Sequence, residues 1–311
     1  ASQDKATVWS EPNHEVAQAQ FELNARPATL AAIKVDKKAE KLAVEQTEKA
    51  LTVGNKAIKA VFCKETGKMV SLKLNGQEII YGQEGFVYDN YRYIENDRGC
   101  KPGNGLDSIG TCEIVPSKGG SVVVKTTRGG KLASQVITYT FLPNGIVDMD
   151  VTITPQAKEL RRAGLVASIN PGLRKVNYYA YGPWENYNDR KENCMVGRFE
   201  TTVDDMVVYY QKPQSMGGRE GLRELTLTNA KGQGIRIETQ GDVAFSALPY
   251  TDMKLANTQH MWELKKDAFI TLHLDGKYRG VGNASCGPDT MNKYKIVEDV
   301  YNFKLRISAA K

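Results

Sequence analysis

Apolar and polar residues alternate along much of the chain, and this period of two predicts β-strands rather than helices. In residues 147–153 every second side chain is apolar, and two aspartates and a threonine stand between them. Residues 301–307 repeat the pattern, and weaker alternation appears at 70–74, 225–228 and 270–274. Such strands place one face on a core. We therefore predict an all-β fold.

Glycine-containing dipeptides follow several of these predicted strands. Asn75-Gly76 comes after residues 70–74 and predicts a tight hairpin leading into 78–81, and Asp275-Gly276 predicts the same after 270–274. Further breaks at Gly119-Gly120 and Gly129-Gly130 are spaced at roughly the length of a strand. This spacing is typical of a large antiparallel sandwich.

The first fifty residues differ from the rest. Residues 28–51 are rich in Ala, Lys and Glu, which favours a helix on propensity alone, but we interpret them as a charged linker with short strands. Two short strands are predicted before it, around 5–10 and 16–23, and such a pair cannot bury a core by itself. We therefore divide the chain into the end of a preceding domain (1–27), a linker (28–50) and one large β domain (51–311).

Composition limits the classes of function. The 311 residues are 41% hydrophobic, enough to bury a substantial core. The 42 basic and 36 acidic residues are scattered, without the Lys/Arg stripe of a nucleic-acid-binding protein. No apolar run approaches the roughly 18 residues of a membrane span, and the opening residues do not resemble a signal peptide. We therefore expect no membrane association. We also expect a chain that begins in the middle of a longer protein or belongs to a cytoplasmic one, and a periplasmic location stays an alternative.

Cysteine and histidine spacing predicts neither a metal site nor a disulfide scaffold. The five cysteines form no CxxC or Cys/His cluster, and three histidines stand too far apart for an ordinary zinc triad. Cys100 and Cys112 flank a glycine-rich loop and could pair in an exported protein, but free thiols are the favoured interpretation.

The densest cluster of functional side chains is YGPWENYNDR at residues 181–190. Glu185 and Asp189 could act as a general acid and base, while Trp184 and Tyr187 could stack on sugar rings. The alternative is a structural turn, in which Arg190 and backbone amides satisfy the carboxylates and the aromatic rings fill a core. We favour the structural turn because loop carboxylates are so often hydrogen-bonded structural groups.

Two further loops are candidates for ligand contact. Residues 95–105 combine Gly and Pro with charged side chains, a composition common in ligand-binding loops. Residues 280–288 lack the third glycine and the following helix of a dinucleotide-binding loop. They predict a tight turn that brings the backbone close to another group. Cys286 would need an adjacent base to act as a nucleophile, and the sequence shows none.

The segment YGPWENYNDR closely resembles the G-P-x-E-N-Y-x-D-R signature of the small C-terminal domain of glycoside hydrolase family two β-galactosidases. Other segments follow in the order of that family, namely 6–11, 209–214, 223–225, 245–250, 274–275 and 280–288. The resemblance implies a large antiparallel β-supersandwich of the galactose mutarotase-like type. It also implies that the chain starts with the last strands of an immunoglobulin-like domain.

The same resemblance implies a role in hydrolysis. Enzymes of this family cleave terminal β-D-galactosides with retention, using two glutamates on an upstream TIM barrel whose carboxyl groups lie about 5 Å apart. This chain would then carry no catalytic residue and no cofactor, and any Mg or Na ion would belong to the barrel. Its partners would be a β-galactoside substrate and the barrel and immunoglobulin-like domains of the same protein, in an enzyme that could also be oligomeric.

The family's C-terminal domain leans over the mouth of the barrel and adds loops to the galactoside pocket. Motif order implies that the substrate-proximal residues here are Asn96, Asp97, Arg98, Gly99, Asn283, Ser285 and Cys286. The signature residues expected to hold the domain together are Gly182, Pro183, Glu185, Asn186, Tyr187, Asp189 and Arg190. Two departures are notable: Cys286 stands where some members have a Trp that stacks on the aglycone sugar, and Tyr91-Arg92-Tyr93 stands where a proline is common.

Two alternatives remain. An aldose epimerase could use His260 and His273, since imidazole titrates near neutral pH, and His273 is expected on an exposed polar strand face with Thr271 and Asp275. A carbohydrate-binding module could instead dock on polysaccharide through Trp184 or Trp262.

Overall fold

The computed structural model describes residues 1–27, 29–33, 38–95, 106–158, 160–282 and 287–310. Strands dominate these ranges, which confirms the all-β prediction. The first half contains β1 (Ala43–Gln46), β2 (Ala50–Gly54), β3 (Ile58–Cys63), β4 (Met69–Leu74), β5 (Gln77–Glu78), β6 (Val87–Asp89), β7 (Leu106–Val115), β8 (Val122–Gly130) and β9 (Ala133–Leu142). The second half contains β10 (Ile146–Pro155), β11 (Arg162–Ile169), β12 (Lys175–Gly182), β13 (Met195–Thr202), β14 (Glu224–Thr228), β15 (Gly234–Gln240), β16 (Ala244–Leu248), the helix α1 (Asp252–Asn257), β17 (Ile270–Tyr278) and β18 (Tyr301–Ala309).

These strands form three antiparallel sheets. Strands β1 to β5 pair in chain order in a five-stranded sheet. A nine-stranded sheet has the order β13-β12-β14-β15-β18-β10-β9-β8-β7, and a four-stranded sheet has the order β16-β17-β11-β6. A bridge between Ile80 and Ile169 joins the chain after β5 to the end of β11. The five-stranded and four-stranded sheets are thereby connected side by side.

Aromatic contacts show how the sheets are layered. Phe62 of β3 packs edge-on against Tyr139 of β9, with ring centroids 5.0 Å apart. Tyr178 of β12 packs against Phe245 of β16 at 5.3 Å. The nine-stranded sheet therefore forms one layer, and the two smaller sheets cover it. Apolar side chains from all three sheets form one continuous core, as in other face-to-face sheet packings.

The strands predicted from alternation are confirmed. In β10 the apolar residues at 147, 149, 151 and 153 are buried, while Asp150 on the opposite face is exposed. Strand β18 pairs beside it, with Phe303 opposite Val151. Strands β4 and β14 likewise coincide with the predictions at 70–74 and 225–228. No helix in the described part of the chain is long and apolar enough to cross a membrane.

The predicted turns have mixed outcomes. Asn75 and Gly76 have φ values of 49° and 81° between β4 and β5, which confirms that hairpin. The hairpin predicted at Asp275-Gly276 is wrong, because β17 runs through both residues to Tyr278. A Cβ atom on Gly276 would lie 2.6 Å from the Phe303 ring, so packing rather than turning requires glycine there. Residues 129–130 end β8, and the chain bends immediately after them at 131–132.

The exposure predicted for the polar face of β17 is also wrong. Thr271, His273 and Asp275 are all buried. Every residue of β17 from Ile270 to Asp275 is buried, so both faces of the strand are covered there. Its apolar residues face the core, and its polar residues join a buried charged cluster around Arg162. Period-two alternation cannot distinguish that cluster from solvent.

The strand pair predicted at 5–10 and 16–23 is not formed. A single bridge joins Ser2 to Glu15, while Trp9, Phe21 and Leu23 are largely exposed. An isolated pair without a core is marginal in water. Strand β1 lies inside the predicted linker and pairs with β2, in line with a linker that contains short strands. The domain boundaries remain predictions.

Gly276→Ala tests whether packing explains this glycine. We expect a loss of about 1–3 kcal/mol in the free energy of unfolding, because the new methyl group collides with Phe303 inside the core. Gly129→Ala is the matched control, since nothing lies within 4 Å of its added Cβ, and we expect a change below about 0.5 kcal/mol. Urea unfolding of both variants measures the difference, and equal values would contradict the packing explanation.

Candidate functional site

The signature segment 181–190 begins with the last two residues of β12 and contains a cis peptide bond between Gly182 and Pro183. The carboxylate of Glu185 is surrounded by donors. It accepts hydrogen bonds from Arg190 Nη2 at 2.5 Å, from the Gly217 amide at 2.9 Å and from the Tyr187 hydroxyl at 3.1 Å. The Tyr210 hydroxyl also donates to it. This saturation is typical of a structural carboxylate and opposes a role as a general acid or base.

Asn186 and Asp189 tie the signature to other loops. The buried Asn186 donates to Tyr181 O at 3.1 Å and Trp184 O at 2.9 Å, and its Oδ1 accepts from the Glu220 amide at 2.8 Å. Asp189 accepts from two successive amides, Val281 N at 2.9 Å and Gly282 N at 3.0 Å. A Cβ atom on Gly280 would collide with the Asp189 carboxylate. The turn predicted at 280–288 therefore does approach another group closely, and that group is Asp189.

The two aromatic residues of the signature have different surroundings. Tyr187 is buried, packs edge-on against Tyr278 with centroids 5.6 Å apart, and carries the Arg190 guanidinium over its ring. Burial raises its pKa well above the ordinary value. Trp184 is 66% exposed. Stacking on a sugar is therefore excluded for Tyr187 by its burial and stays open for Trp184.

The other signature residues also make internal contacts. Gly182 lies against the Phe199 ring, where an added Cβ would be 2.7 Å from the nearest ring carbon. The carbonyl oxygen of Pro183 accepts a hydrogen bond from the Tyr178 hydroxyl at 3.1 Å. These contacts join the signature to its own domain, which supports the structural interpretation of the segment.

The residues predicted to lie near substrate fall outside the described residues, in 96–105 and 283–286. The described residues that precede these two segments are nevertheless in contact. The buried Arg92 guanidinium donates to Arg279 O and, at 3.1 Å, to Gly280 O. We call this convergence the candidate rim. It comprises residues 91–95, 184–190, 210–218 and 279–282.

The rest of the candidate rim is joined by short hydrogen bonds. Tyr93 and Ser215 exchange two of them, since Ser215 N donates to Tyr93 O at 2.8 Å and Tyr93 N donates to Ser215 Oγ at 2.8 Å. At its exposed end, Lys212 Nζ lies 2.5 Å from Glu95 and from the Tyr93 hydroxyl. The residues that precede the two predicted substrate-proximal segments are thus joined in one hydrogen-bonded framework.

A buried charged cluster lies directly behind this rim. Arg162 of β11 is 3.0 Å from Asp89 of β6, 3.0 Å from Asp252 of α1 and 3.3 Å from Asp275 of β17. The same guanidinium approaches the His273 ring nitrogens at 2.7 and 3.0 Å. One buried cation therefore faces three carboxylates and an imidazole.

The cluster sets opposite pKa shifts on its acids. Burial alone would raise the pKa of Asp252, but Arg162 and His273 outweigh burial and hold it far below the ordinary value. For Asp275 burial prevails over Arg162 and raises the pKa to about 6. Asp252 therefore stays ionised at neutral pH, while Asp275 takes up a proton in mildly acidic solution.

Asp89, Asp252 and His273 also have the spacing of a metal site, since one ligand atom from each lies within 4.8 Å of the others. Arg162 Nη1, however, stands within 3.0 Å of all three side chains. Its fixed positive charge already neutralises the ligands that a cation would use. The arrangement fits an ion-pair network better than a metal centre.

Cys63, Cys112 and Cys194 have free thiols, and burial raises the pKa of Cys112 to about 11. Cys100 and Cys286 lie outside the described residues. Free thiols in the described part accord with the favoured interpretation of the cysteines.

Comparison with protein families identifies the domain. The family model described as "Beta galactosidase small chain" matches residues 54–307, which include nearly the whole sandwich and the candidate rim. The chain belongs to the β-galactosidase small chain family.

The family's curated relatives are longer proteins. A β-galactosidase from Priestia megaterium is 28% identical over 89% of this chain, which covers 28% of that protein. A β-galactosidase from Halalkalibacterium halodurans is 27% identical over 94% of this chain and 30% of that protein. The chain thus spans less than a third of the length of these relatives.

Comparison with solved structures gives matches of low sequence identity. A galactose 1-epimerase from Lactobacillus acidophilus is 10% identical, with a TM-score of 0.46, over 88% of this chain and 99% of that chain. A galactose mutarotase related enzyme from the same species is 9% identical, with a TM-score of 0.45, over 84% of this chain and 97% of that chain.

In this small-chain domain, sequence reasoning found the signature but missed the cluster around Arg162. One signal was present: Arg161-Arg162 opens an otherwise apolar strand, and a buried strand arginine requires acidic partners. Those partners stand 73 and 90 residues away along the chain, at Asp89 and Asp252, so no local spacing reveals them.

Arg162→Met should destabilise the small-chain domain by at least about 3 kcal/mol, because it leaves buried carboxylates without their cation. Arg198→Met is the control, because that side chain is exposed and its ion pair with Glu224 is long, at 3.5 Å. We expect this variant to lose less than about 1 kcal/mol of unfolding free energy. Chemical denaturation of both variants measures these values. A small loss at Arg162 would mean that the cluster contributes little to the fold.

Proposed function

We propose that this chain is the C-terminal part of a β-galactosidase that hydrolyses terminal β-D-galactosides with retention. In this proposal the chain borders the sugar pocket, and the catalytic glutamates lie upstream on a barrel. The observation that carries it is the family match over residues 54–307, together with relatives named β-galactosidase that are more than three times as long. The barrel and an immunoglobulin-like domain of the same protein would be its partners.

The candidate rim supports a position beside the pocket. The residues that precede both predicted substrate-proximal segments lie there, and Arg92 and Asp189 hold the backbone of residues 280–282. The best candidate carboxylate pair in the signature is already engaged, since Glu185 accepts from four groups and Asp189 from two amides. A supporting wall accounts for these contacts better than a catalytic centre in this segment.

The epimerase alternative is weakened by the surroundings of its two histidines. His273 is buried against Arg162 rather than exposed. His260 is stacked on the exposed Trp262 with centroids 4.2 Å apart and pairs with Glu263 at 3.2 Å. His273 does line a recess of about 240 Å³ with Asp89 and Asp252, but both of its ring nitrogens lie against Arg162. Such an imidazole is held in the ion-pair network rather than poised for proton transfer to a sugar.

The first test is hydrolysis of a chromogenic β-galactoside by this chain alone. We expect no release above background, because the chain would lack the glutamate pair. Mixing with the separately produced upstream portion should restore turnover. Activity of the chain alone that survives repurification would refute the proposal and would direct mutagenesis to Glu185 and Asp189.

The second test changes the rim in the recombined enzyme. Asp189→Ala releases the amides of Val281 and Gly282 and should loosen the adjoining predicted segment. We expect KM to rise roughly tenfold with kcat nearly unchanged, as for a lost binding contact. Asp150→Ala, which removes an exposed pair with Lys304, is the control and should leave both constants unchanged. An unaltered KM for Asp189→Ala would contradict the position of the rim.

A further inference from the structure

The segment before the sandwich lies across the nine-stranded sheet. We call residues 20–27 and 29–31 the strap. The side-chain amide of Gln20 exchanges two hydrogen bonds with the backbone of Val196, both 2.8 Å long. Arg26 donates to Thr239 Oγ1 at 2.9 Å and to Gly241 O at 3.1 Å. The strap is thus fastened at both the edge and the middle of the sheet.

A cavity of about 340 Å³ lies beneath the strap. Its walls come from the strap, the signature and β17, and it shares Arg26, Tyr181 and Arg223 with a neighbouring cavity of about 670 Å³ under the same segment. We call the smaller one the strap cavity. Its volume falls within the range of about 300–1,000 Å³ that is usual for small-molecule sites.

The strap cavity is lined by equal numbers of acidic and basic side chains. The acidic ones are Glu22, Glu220, Asp242 and Asp275, and the basic ones are Arg26, Lys191, Arg223 and Lys277. A charged ligand would meet as many like charges as opposite ones. An uncharged ligand with hydroxyl groups suits such walls better, because each hydroxyl both donates and accepts.

Among the residues that line the strap cavity, Glu220 has a pKa that burial shifts to near neutral pH. Burial raises its pKa to about 7, although Lys191 and Lys277 oppose the shift. Its carboxyl group therefore exists in both protonation states near neutral pH. It can accept from one hydroxyl when ionised, or donate to another when protonated.

We propose that the strap cavity binds an uncharged, polyhydroxylated molecule of monosaccharide size, with Glu220 and Arg223 as its polar contacts. The ring of Tyr181 forms a wall beside them. This site adjoins the candidate rim, because Asn188 of the rim is among its wall residues, and it does not depend on the proposed hydrolysis. Glu22 and Arg26 of the strap form part of its wall, so we expect ligand exchange to depend on movement of the strap.

Saturation-transfer NMR of D-galactose binding to the 311-residue chain tests the proposal. We expect binding, with D-galacturonate and D-galactosamine at least tenfold weaker because each adds one charge to a balanced site. Glu220→Ala and Arg223→Met should each weaken galactose binding at least about tenfold, which corresponds to about 1.4 kcal/mol. Glu113→Gln on β7, at the opposite edge of the large sheet, is the matched control and should not change it.

Three outcomes would overturn the proposal: no galactose binding up to its solubility limit, tighter binding of either charged sugar, or unchanged binding in both cavity variants. Thermal melting of each variant establishes that it is folded. Arg26→Ala gives an independent check, since it loosens the strap without removing Glu220. It should speed galactose exchange, and an unchanged rate would contradict the role of the strap as a cover.

Glu220 also makes a prediction about stability and pH. Because its folded pKa is raised from 4.5 to about 7, the folded chain binds more protons than the unfolded chain in that interval, and stability falls as pH rises through it. Glu220→Gln removes this loss. The variant should therefore melt at a higher temperature than the parent at pH 8 and at nearly the same temperature at pH 4.5. A constant difference between the two pH values would refute the shifted titration.

Discussion

The positive charge of Arg162 is the constraint on which the rest of this domain depends. Strands β6, β11 and β17 are neighbours in the four-stranded sheet, and α1 lies against them. Each of these four elements contributes a buried ionisable side chain, and burying any of these charges without a partner would be unfavourable. Arg162 allows Asp89, Asp252 and Asp275 to be buried together. The chain runs directly from Asp89 and from Asp275 into the two flanks of the candidate rim, so the cluster fixes where both flanks begin.

The signature segment connects two different environments. On one side Glu185 and Asp189 hold the loops of the candidate rim. On the other side Asn188 lines the strap cavity, and the Asn186 side chain holds the Glu220 amide. Because its residues hold several other groups in place, this segment tolerates little change in sequence, which is a physical reason for a long and specific motif.

The sequence predicted the strands with a clean apolar and polar alternation, because one face of each meets the core and the other meets water. It failed at β17, where the polar face meets the Arg162 cluster instead of water. Asp275-Gly276 has the composition of a turn, yet Phe303 requires the glycine and Arg162 holds the aspartate. The signature could be found because its residues are contiguous. Glu220 and Arg162 could not be found in this way, because their partners are distant in the chain. Their unusual protonation behaviour depends on burial, which the local sequence does not show.

The contact between Gln20 and Val196 has a consequence for association between molecules. Strand β13 ends the nine-stranded sheet and would otherwise present unpaired backbone groups, which serve as templates for strands of other chains. A side-chain amide has the same donor and acceptor as a peptide group, so Gln20 occupies one such position without adding a strand. The strap thereby occupies, at Val196, a position of the sheet edge where a strand of another molecule would otherwise pair.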